Sequence, residues 1–467
     1  GVTAAPEDVK LQEKEFFAAR DEDIANAPNA SARKKLIKQR MEDQDPVYDA
    51  FIEAKHEAEA TSILLRDSGR FPLGGVGDVN TYQVFAELFK DGIAETGRAG
   101  IIVPTGIATD HTTRHFFADL VDSQRLASVF DFENAAPIFP GVHRSFKFAL
   151  LTISGVDAEV EEAEFAFFAH DTADLRDPDR RFVLSPRDIA LINPNTKTAP
   201  VFRSRRDADI TAKIYRNVPV LVRQGDPDGN PWGITFSTMF HMSNDSHLFR
   251  TRDQLEADGW TLGGTPAQQA ETYIPGNVFT KADARYLPLY EAKMADHLDH
   301  RAADVVISAT AKIRQGQPER ISSSDHLDPT REPDPRFWVS AEDVESALGS
   351  HREPWLLGWR RISIGTNERT VLPTAFPRAG VGDSVFLMHP STDGRPLLGA
   401  MASFVFDFVA RQKMGGLNLS FFLMEQFPVP SPQRIQESVF GSGFLESLVT
   451  ELSFTSRSLG ADEVYRW

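Results

Sequence analysis

Between residues 81 and 170 the chain alternates helical and strand-like segments, and that alternation restricts its fold more than any other feature. "TYQVFAELFKDGIAETG" is rich in helix formers and places Tyr82, Phe85, Leu88 and Phe89 on one face at three- and four-residue spacing. After a glycine turn, "RAGIIVPTGI" predicts a short buried strand ending at Pro104. "HTTRHFFADLVDSQ" predicts the next helix, and "LASVFDFEN", "FKFALLTISG" and "AEFAFFAH" predict three more strands. Helices alternating with short apolar strands imply an α/β sheet, with its last strands adjacent and open to antiparallel pairing.

Upstream, residues 1–70 predict a helical segment, since "EKEFFAARDEDIANA" and the run from Ala32 to Leu65 combine good helix formers with apolar residues at helical spacing. "RDSGRFPLGGVGDVN" interrupts it. Residues 71–220 hold the α/β segment, ending in a loop-like stretch, "SPRDIALINPNTKTAPVFRS", and the helix "RRDADITAKIYRN". Residues 221–340 mix Gly, Pro, Asn, Asp and Trp and read as a connecting region containing a domain boundary. Residues 341–467 bring new strand and loop signals and one long helix, "LLGAMASFVFDFVARQK". At 467 residues the chain is long enough for two domains or more.

Composition narrows the class. Apolar content of 41% and charged content of 25% suit an ordinary globular protein, and no apolar run approaches the ~20 residues of a membrane span. The absence of cysteine excludes disulfides, thiolate catalysis and Cys-ligated metal, and fits a reducing, cytoplasmic setting. The start "GVTAAPEDVKLQEKE" is acidic, lacks an initiating Met and does not read as a signal peptide, so a fragment or processed chain is expected. A net charge of −17 argues against polyanion binding by the whole surface. Residues 197–216 are nevertheless locally basic, with Lys197, Arg203, Arg205, Arg206, Lys213 and Arg216 against Asp207 and Asp209.

Gly74, Gly75 and Gly77 suggest a phosphate loop, but they do not complete the dinucleotide pattern and no strand precedes them, which favours a turn. His297 and His300 stand at i, i+3 spacing without a recognisable third metal ligand. No nucleophile elbow occurs. Cations at the start of "RRDADITAKIYRN" oppose the helix dipole, which fits either a nearby phosphate backbone or a solvated face beside a capping turn. "RRISIGTNERTV" and "RQKMGGLNLSFF" each set Arg or Lys beside Asn, Thr or Ser, glycine and an apolar strand. That composition suits phosphates and base edges, and also suits many surface loops.

Taken in order, these segments resemble the adenine-specific DNA methyltransferases of restriction–modification and phage-defence systems, over residues 9 to 430. "VKLQEKEFFAARDEDIANAPNASARKKLI" resembles the helical segment after the catalytic motif, and "GDVNTYQVFAELF" with "GRAGIIVPTGIATDHTTRHFFADLV" the following block. "DFENAAPIFPGVHRSFKFALLTI" resembles the sheet-completing strands. "INPNTKTAPVFRSRRDADITAKIY", "YLPLYEAKMADHLDHR" and the two C-terminal loops resemble the downstream and target-recognition regions. The resemblance implies the C-terminal part of a class I (Rossmann-like) sheet followed by a mixed α+β target-recognition domain.

The implied activity is S-adenosyl-L-methionine-dependent methylation of the N6 of a flipped adenine in double-stranded DNA. Asp78, Asn80, Tyr82 and Phe85 would line the cofactor or base pocket. Pro104 would end the strand beside the catalytic tetrapeptide, and Phe146 or Phe148 would pack near the base. Arg203, Arg205, Arg206, Arg361, Asn367, Arg369, Arg411, Gln412, Lys413, Gly415 and Gly416 would face DNA. Where the tetrapeptide is expected the sequence reads "TAAPED", without an aromatic residue, and no glycine-rich cofactor loop precedes it. The expectation is therefore a truncated enzyme, with no catalytic residue assigned here. Three alternatives are a two-chain enzyme whose partner supplies both motifs, a non-catalytic DNA-binding specificity subunit, and a gene fragment without function.

Overall fold

The computed structural model describes residues 9–27, 30–136, 138–308, 316–363, 365, 367–414 and 417–460. The chain divides into two compact units, Gly1–Ala212 and Lys213–Trp467. The division precedes the 221–340 interval in which the sequence suggested a boundary.

In the first unit four helices come first: α1 (Glu13–Ala18), α2 (Glu22–Ala25), α3 (Ala30–Glu42) and α4 (Pro46–Asp67). Asp21 caps α2 by accepting the N–H groups of Asp23 and Ile24, and Asp45 caps α4 ahead of Pro46. Phe16, Phe17, Ile24, Ile37 and Phe51 share one buried cluster, each contributing about 1.5–3 kcal/mol of apolar burial. α5 (Thr81–Gly92) begins at a capping box made by Asn80 and Gln83. Its apolar face is not the buried one expected: Tyr82 is buried, but Phe85 and Leu88 are exposed, and Phe85 stacks with Phe89 at 6.4 Å. The buried face instead takes Gln83, Val84, Ala86 and Glu87, because Glu87 serves the loop before the helix. Leu73 and Gly74 N–H groups donate to its carboxylate at 3.2 and 2.6 Å. The glycines are there for close packing, since a Cβ on Gly75 would lie 2.3 Å from the Leu65 carbonyl oxygen.

The sheet follows: β1 (Arg98–Pro104), α6 (Gly106–Thr109), α7 (Arg114–Asp122), β2 (Leu126–Glu133), β3 (Lys147–Ser154), β4 (Ala163–Ala169) and β5 (Phe182–Leu184). Its order is β1-β3-β2-β4-β5. β3 is antiparallel to both β1 and β2, while β2 and β4 run parallel. β3 and β4 are therefore not neighbours, contrary to expectation. β3 folds back onto β2 and takes β1 on its other edge, so only the far edge of β2 is left for β4. Val129, Leu151, Ile153 and Phe165 are fully buried. Ser185 and Asp188 cap α8 (Pro186–Ile192) in a stretch read from sequence as loop, a start signal that polar composition concealed. α9 (Arg205–Asn217) matches its expected span.

The second unit is mixed. Its strands are β6 (Thr235–Ser237), β7 (Thr261–Leu262), β8 (Phe279–Lys281), β9 (Ala284–Tyr290), β10 (Ala303–Ile307), β11 (Gly316–Arg320), β12 (Trp338–Ser340), β13 (Trp355–Arg360), β14 (Pro373–Pro377), β15 (Gly380–Val381) and β16 (Val385–His389). They form a four-stranded sheet, β14-β13-β16-β6, a sheet ordered β12-β9-β8-β7 with β15 on β9, and the pair β10-β11. The expected long helix is two, Arg395–Met401 and Phe404–Lys413, because the Ser403 hydroxyl accepts the Phe406 N–H and restarts the chain. His297 and His300 do not share a helix. His297 lies within the turn closed by a bridge between Asp296 and Asp299, and His300 follows it; among the described residues no group of three His, Asp or Glu side chains is placed to hold a metal. Among the same residues no helix is long and apolar enough to cross a membrane.

Candidate functional site

β1, β2 and β4 run in one direction, so their carboxyl ends share one edge of the first unit's sheet, where open α/β sheets place ligands. That edge carries a buried carboxylate. Asp131, near the end of β2, is 1% exposed. It accepts the Thr105 hydroxyl from the residue after β1, and the Phe168 N–H at 3.0 Å from β4. Burial holds its carboxyl above the usual carboxylate range, although both hydrogen bonds pull the other way.

The second of those bonds has a structural origin. Pairing of β2 with β4 steps from Phe130↔Ala166 to Phe132↔Ala169, so β4 carries one extra residue there. Phe168 lies in this bulge with φ of +59°, a left-handed conformation costly for an aromatic residue. Asp131 takes up the N–H that the bulge removes from the ladder. The Phe168 ring is half-buried and meets two cations, the Arg203 guanidinium 3.9 Å and the Lys147 ammonium 4.5 Å from its centre. Lys147 also pairs with Glu133 at 3.1 Å, its cross-strand neighbour, and Glu133 meets His170 at 3.0 Å. Burial would raise the Glu133 carboxyl, but the hydrogen bonds of His170 and Lys147 outweigh it and hold it low.

Pro104 and Phe148 are brought together, being paired in the β1–β3 register. Phe148 stacks on Phe132 at 5.3 Å and meets Phe139 edge-on at 4.9 Å. Phe146 lies just before β3 and is 56% exposed, its carbonyl accepting the Asn134 N–H. The aromatic residues named from sequence thus stand at this edge, beside Thr105 and Asp131. The residues around α5 do not form a cradle with one another. Asp78 pairs with Lys10 at the surface, and the Asn80 side chain is spent on its helix cap. Tyr82 is buried, which together with the Asp110 charge pushes its hydroxyl up to about 12. Phe85 lies on the exposed face of α5.

Of the residues expected at DNA, Arg203, Arg205 and Arg206 are exposed in the first unit. Ser204 and Asp207 supply the helix start, with the Asp207 N–H donating to the Ser204 hydroxyl at 3.2 Å, and this offsets the unfavourable cations. In the second unit the two loops singled out from sequence are neighbours. Ser363 N–H donates to the Leu417 carbonyl, Leu419 N–H to the Arg361 carbonyl, and Arg411 donates to the carbonyls of Asn367 and Glu368 at 2.9 Å each. Arg369 lies 4.1 Å over the ring of Phe404, which is 80% exposed. Arg361 stands 3.5 Å from Asp383.

Gln412 and Lys413 are corrections to the DNA-facing set. Both are buried, and Lys413 donates to the Tyr215 hydroxyl at 2.8 Å and the Gln426 carbonyl at 2.6 Å. On a short helix only one face reaches solvent, and Arg411 has it. Gly415 and Gly416 lie outside the described residues. Sequence reasoning missed Thr105, Asp131, Lys147 and Phe168. One signal was available: in "LASVFDFEN" a lone acid sits between two phenylalanines within an apolar strand.

No protein-family model matches the sequence, and no curated protein matches it. Among solved structures the chain is similar to the type IIG restriction endonuclease BpuSI, at 12% identity and a TM-score of 0.28 over 85% of this chain and 47% of that one. It is similar to the type IIL restriction–modification enzyme MmeI in complex with DNA, at 10% identity and a TM-score of 0.37 over 83% of this chain and 50% of that one. A third is the ATP-dependent type ISP restriction–modification enzyme LlaBIII bound to DNA, at 8% identity and a TM-score of 0.39 over 85% and 28%. No residue role is carried over at this degree of likeness. The chain spans half or less of the length of these solved proteins.

Proposed function

We propose that this chain forms the base-pocket side of the sheet and the DNA-contacting part of an adenine-specific DNA methyltransferase of a restriction–modification system. The observation that carries the reading is the convergence of Pro104, Phe146 and Phe148 with the Thr105–Asp131 pair and Arg203 around one carboxyl edge. Apolar rings there suit a base taken out of its stack, and exposed cations suit the phosphates flanking it. S-adenosyl-L-methionine would supply the methyl group. In this reading the cofactor loop belongs to another segment or polypeptide, and no transfer step is assigned to the residues described. The same observation gives weight to a second reading, a DNA-binding specificity subunit without catalysis.

One experiment separates the two. The chain, alone and with the polypeptides encoded beside it, is incubated with methyl-labelled S-adenosyl-L-methionine and duplex DNA, and N6-methyladenine is measured by mass spectrometry. We expect label in adenine in at least one combination, and its loss in Phe146→Ala, whose ring is exposed, at unchanged thermal stability. Salt-dependent DNA binding without label in any combination would leave the specificity-subunit reading standing. Neither label nor DNA binding would overturn both.

A further inference from the structure

The bulge in β4 has a use that its packing does not explain. A left-handed phenylalanine is strained and persists only where its surroundings enforce it. Here three independent features do so or depend on it. Asp131, fully enclosed, accepts the displaced Phe168 N–H and is itself fixed by Thr105. Lys147 reaches the ring from the first residue of β3. Arg203 reaches it because Phe202, its neighbour, is buried edge-on against Phe182 at 5.4 Å, which turns the next side chain outward. The Arg203 guanidinium is exposed, and among the described residues no carboxylate lies in ion-pair range of it. A guanidinium resting on a ring keeps the N–H groups at its rim free to donate, in the forked geometry that matches phosphate oxygens.

We propose that Arg203 and Lys147, held on the Phe168 ring, form a clamp for phosphodiester oxygens of a DNA backbone at the carboxyl edge of the sheet, with Asp131 as its positioning residue. The inference rests on the DNA-binding reading above. It commits to a polyanion backbone because both ligand-facing groups are cations on one ring. Glu133 neutralises part of Lys147, so Arg203 carries the larger share.

The test uses the full chain and a fluorescein-labelled duplex, with affinity followed against salt concentration. Arg203→Ala is expected to weaken binding and to flatten the log–log salt slope by about 0.9, and Lys147→Ala to do both by a smaller amount. Phe168→Gly keeps both charges and suits the left-handed backbone. It is expected to keep the parent's thermal midpoint and lower affinity about two- to fivefold. Asp131→Asn, whose amide oxygen can accept while its NH2 cannot, should give a similar loss, with no further loss on adding Phe168→Gly. A purely structural Asp131 would shift the thermal midpoint and leave affinity alone. Parent-like salt slopes in both cation variants would overturn the clamp while DNA binding stood. Absence of salt-dependent binding by the parent chain would overturn the DNA reading and the clamp with it.

Discussion

The carboxyl edge of the first unit and the paired loops of the second both hold cations that look equivalent in sequence, yet the two regions use them in opposite ways. At the sheet edge, Arg203 lies exposed on an aromatic ring, and among the described residues no carboxylate pairs with it. In the loops, Arg411 is committed to two carbonyls and to Asp407, Arg361 stands near Asp383, and Lys413 is enclosed beneath them. Arg203 stands in the loop ahead of α9, turned outward by the buried Phe202 beside it, whereas the cations of the second unit's folded loops are the nearest donors for those loops' own carbonyls. Basic composition therefore marks a surface in one region and an internal scaffold in the other.

Lys413 gives the sharpest break between the regions. Lys413→Ala should cost about 2–4 kcal/mol in urea unfolding through cavity and lost hydrogen bonds, and Lys413→Met should cost much less. Burial holds the Lys413 ammonium well below its ordinary pKa of 10.5. Between the lowered value and 10.5 the unfolded chain binds more protons than the folded one, so this group makes stability rise with pH. Unfolding midpoints between pH 7 and 10 should show that rise in the parent relative to Lys413→Met. Equal slopes would mean that Lys413 is solvated.

A smaller effect is expected at the glycine-rich turn. Glu87→Ala removes the acceptor of the Leu73 and Gly74 N–H groups and should cost roughly 1–3 kcal/mol. Added phosphate or S-adenosyl-L-methionine should not restore the lost stability. Restoration by phosphate would make the turn an anion site after all, and restoration by S-adenosyl-L-methionine a cofactor site.

The smallest change should come from Arg203→Ala, whose thermal stability should stay within about 0.5 kcal/mol of the parent. A large loss would place Arg203 with Lys413 as a structural cation and erase the contrast.

Much of the first unit was legible because period and composition agreed there. Each strand between residues 98 and 169 falls where its apolar run does, and α9 occupies the span its pattern gave. α8 was missed because Ser185, Pro186 and Asp188, the residues that start a helix, are also the residues of turns. The break before Phe404 was missed for a similar reason, since a single serine interrupts an otherwise helical run.

By itself, then, the sequence determined most of the helices and strands between residues 81 and 169, that the early part is an α/β sheet, and that a basic stretch leads into α9. Those properties follow from local spacing. Only tertiary structure decided that β2 separates β3 from β4, that β4 bulges at Phe168 against Asp131, and that Arg203 lies exposed on the Phe168 ring while Lys413 is enclosed. A strand has just two edges and a side chain one set of neighbours. Which partner fills each is settled by packing between segments far apart in the chain.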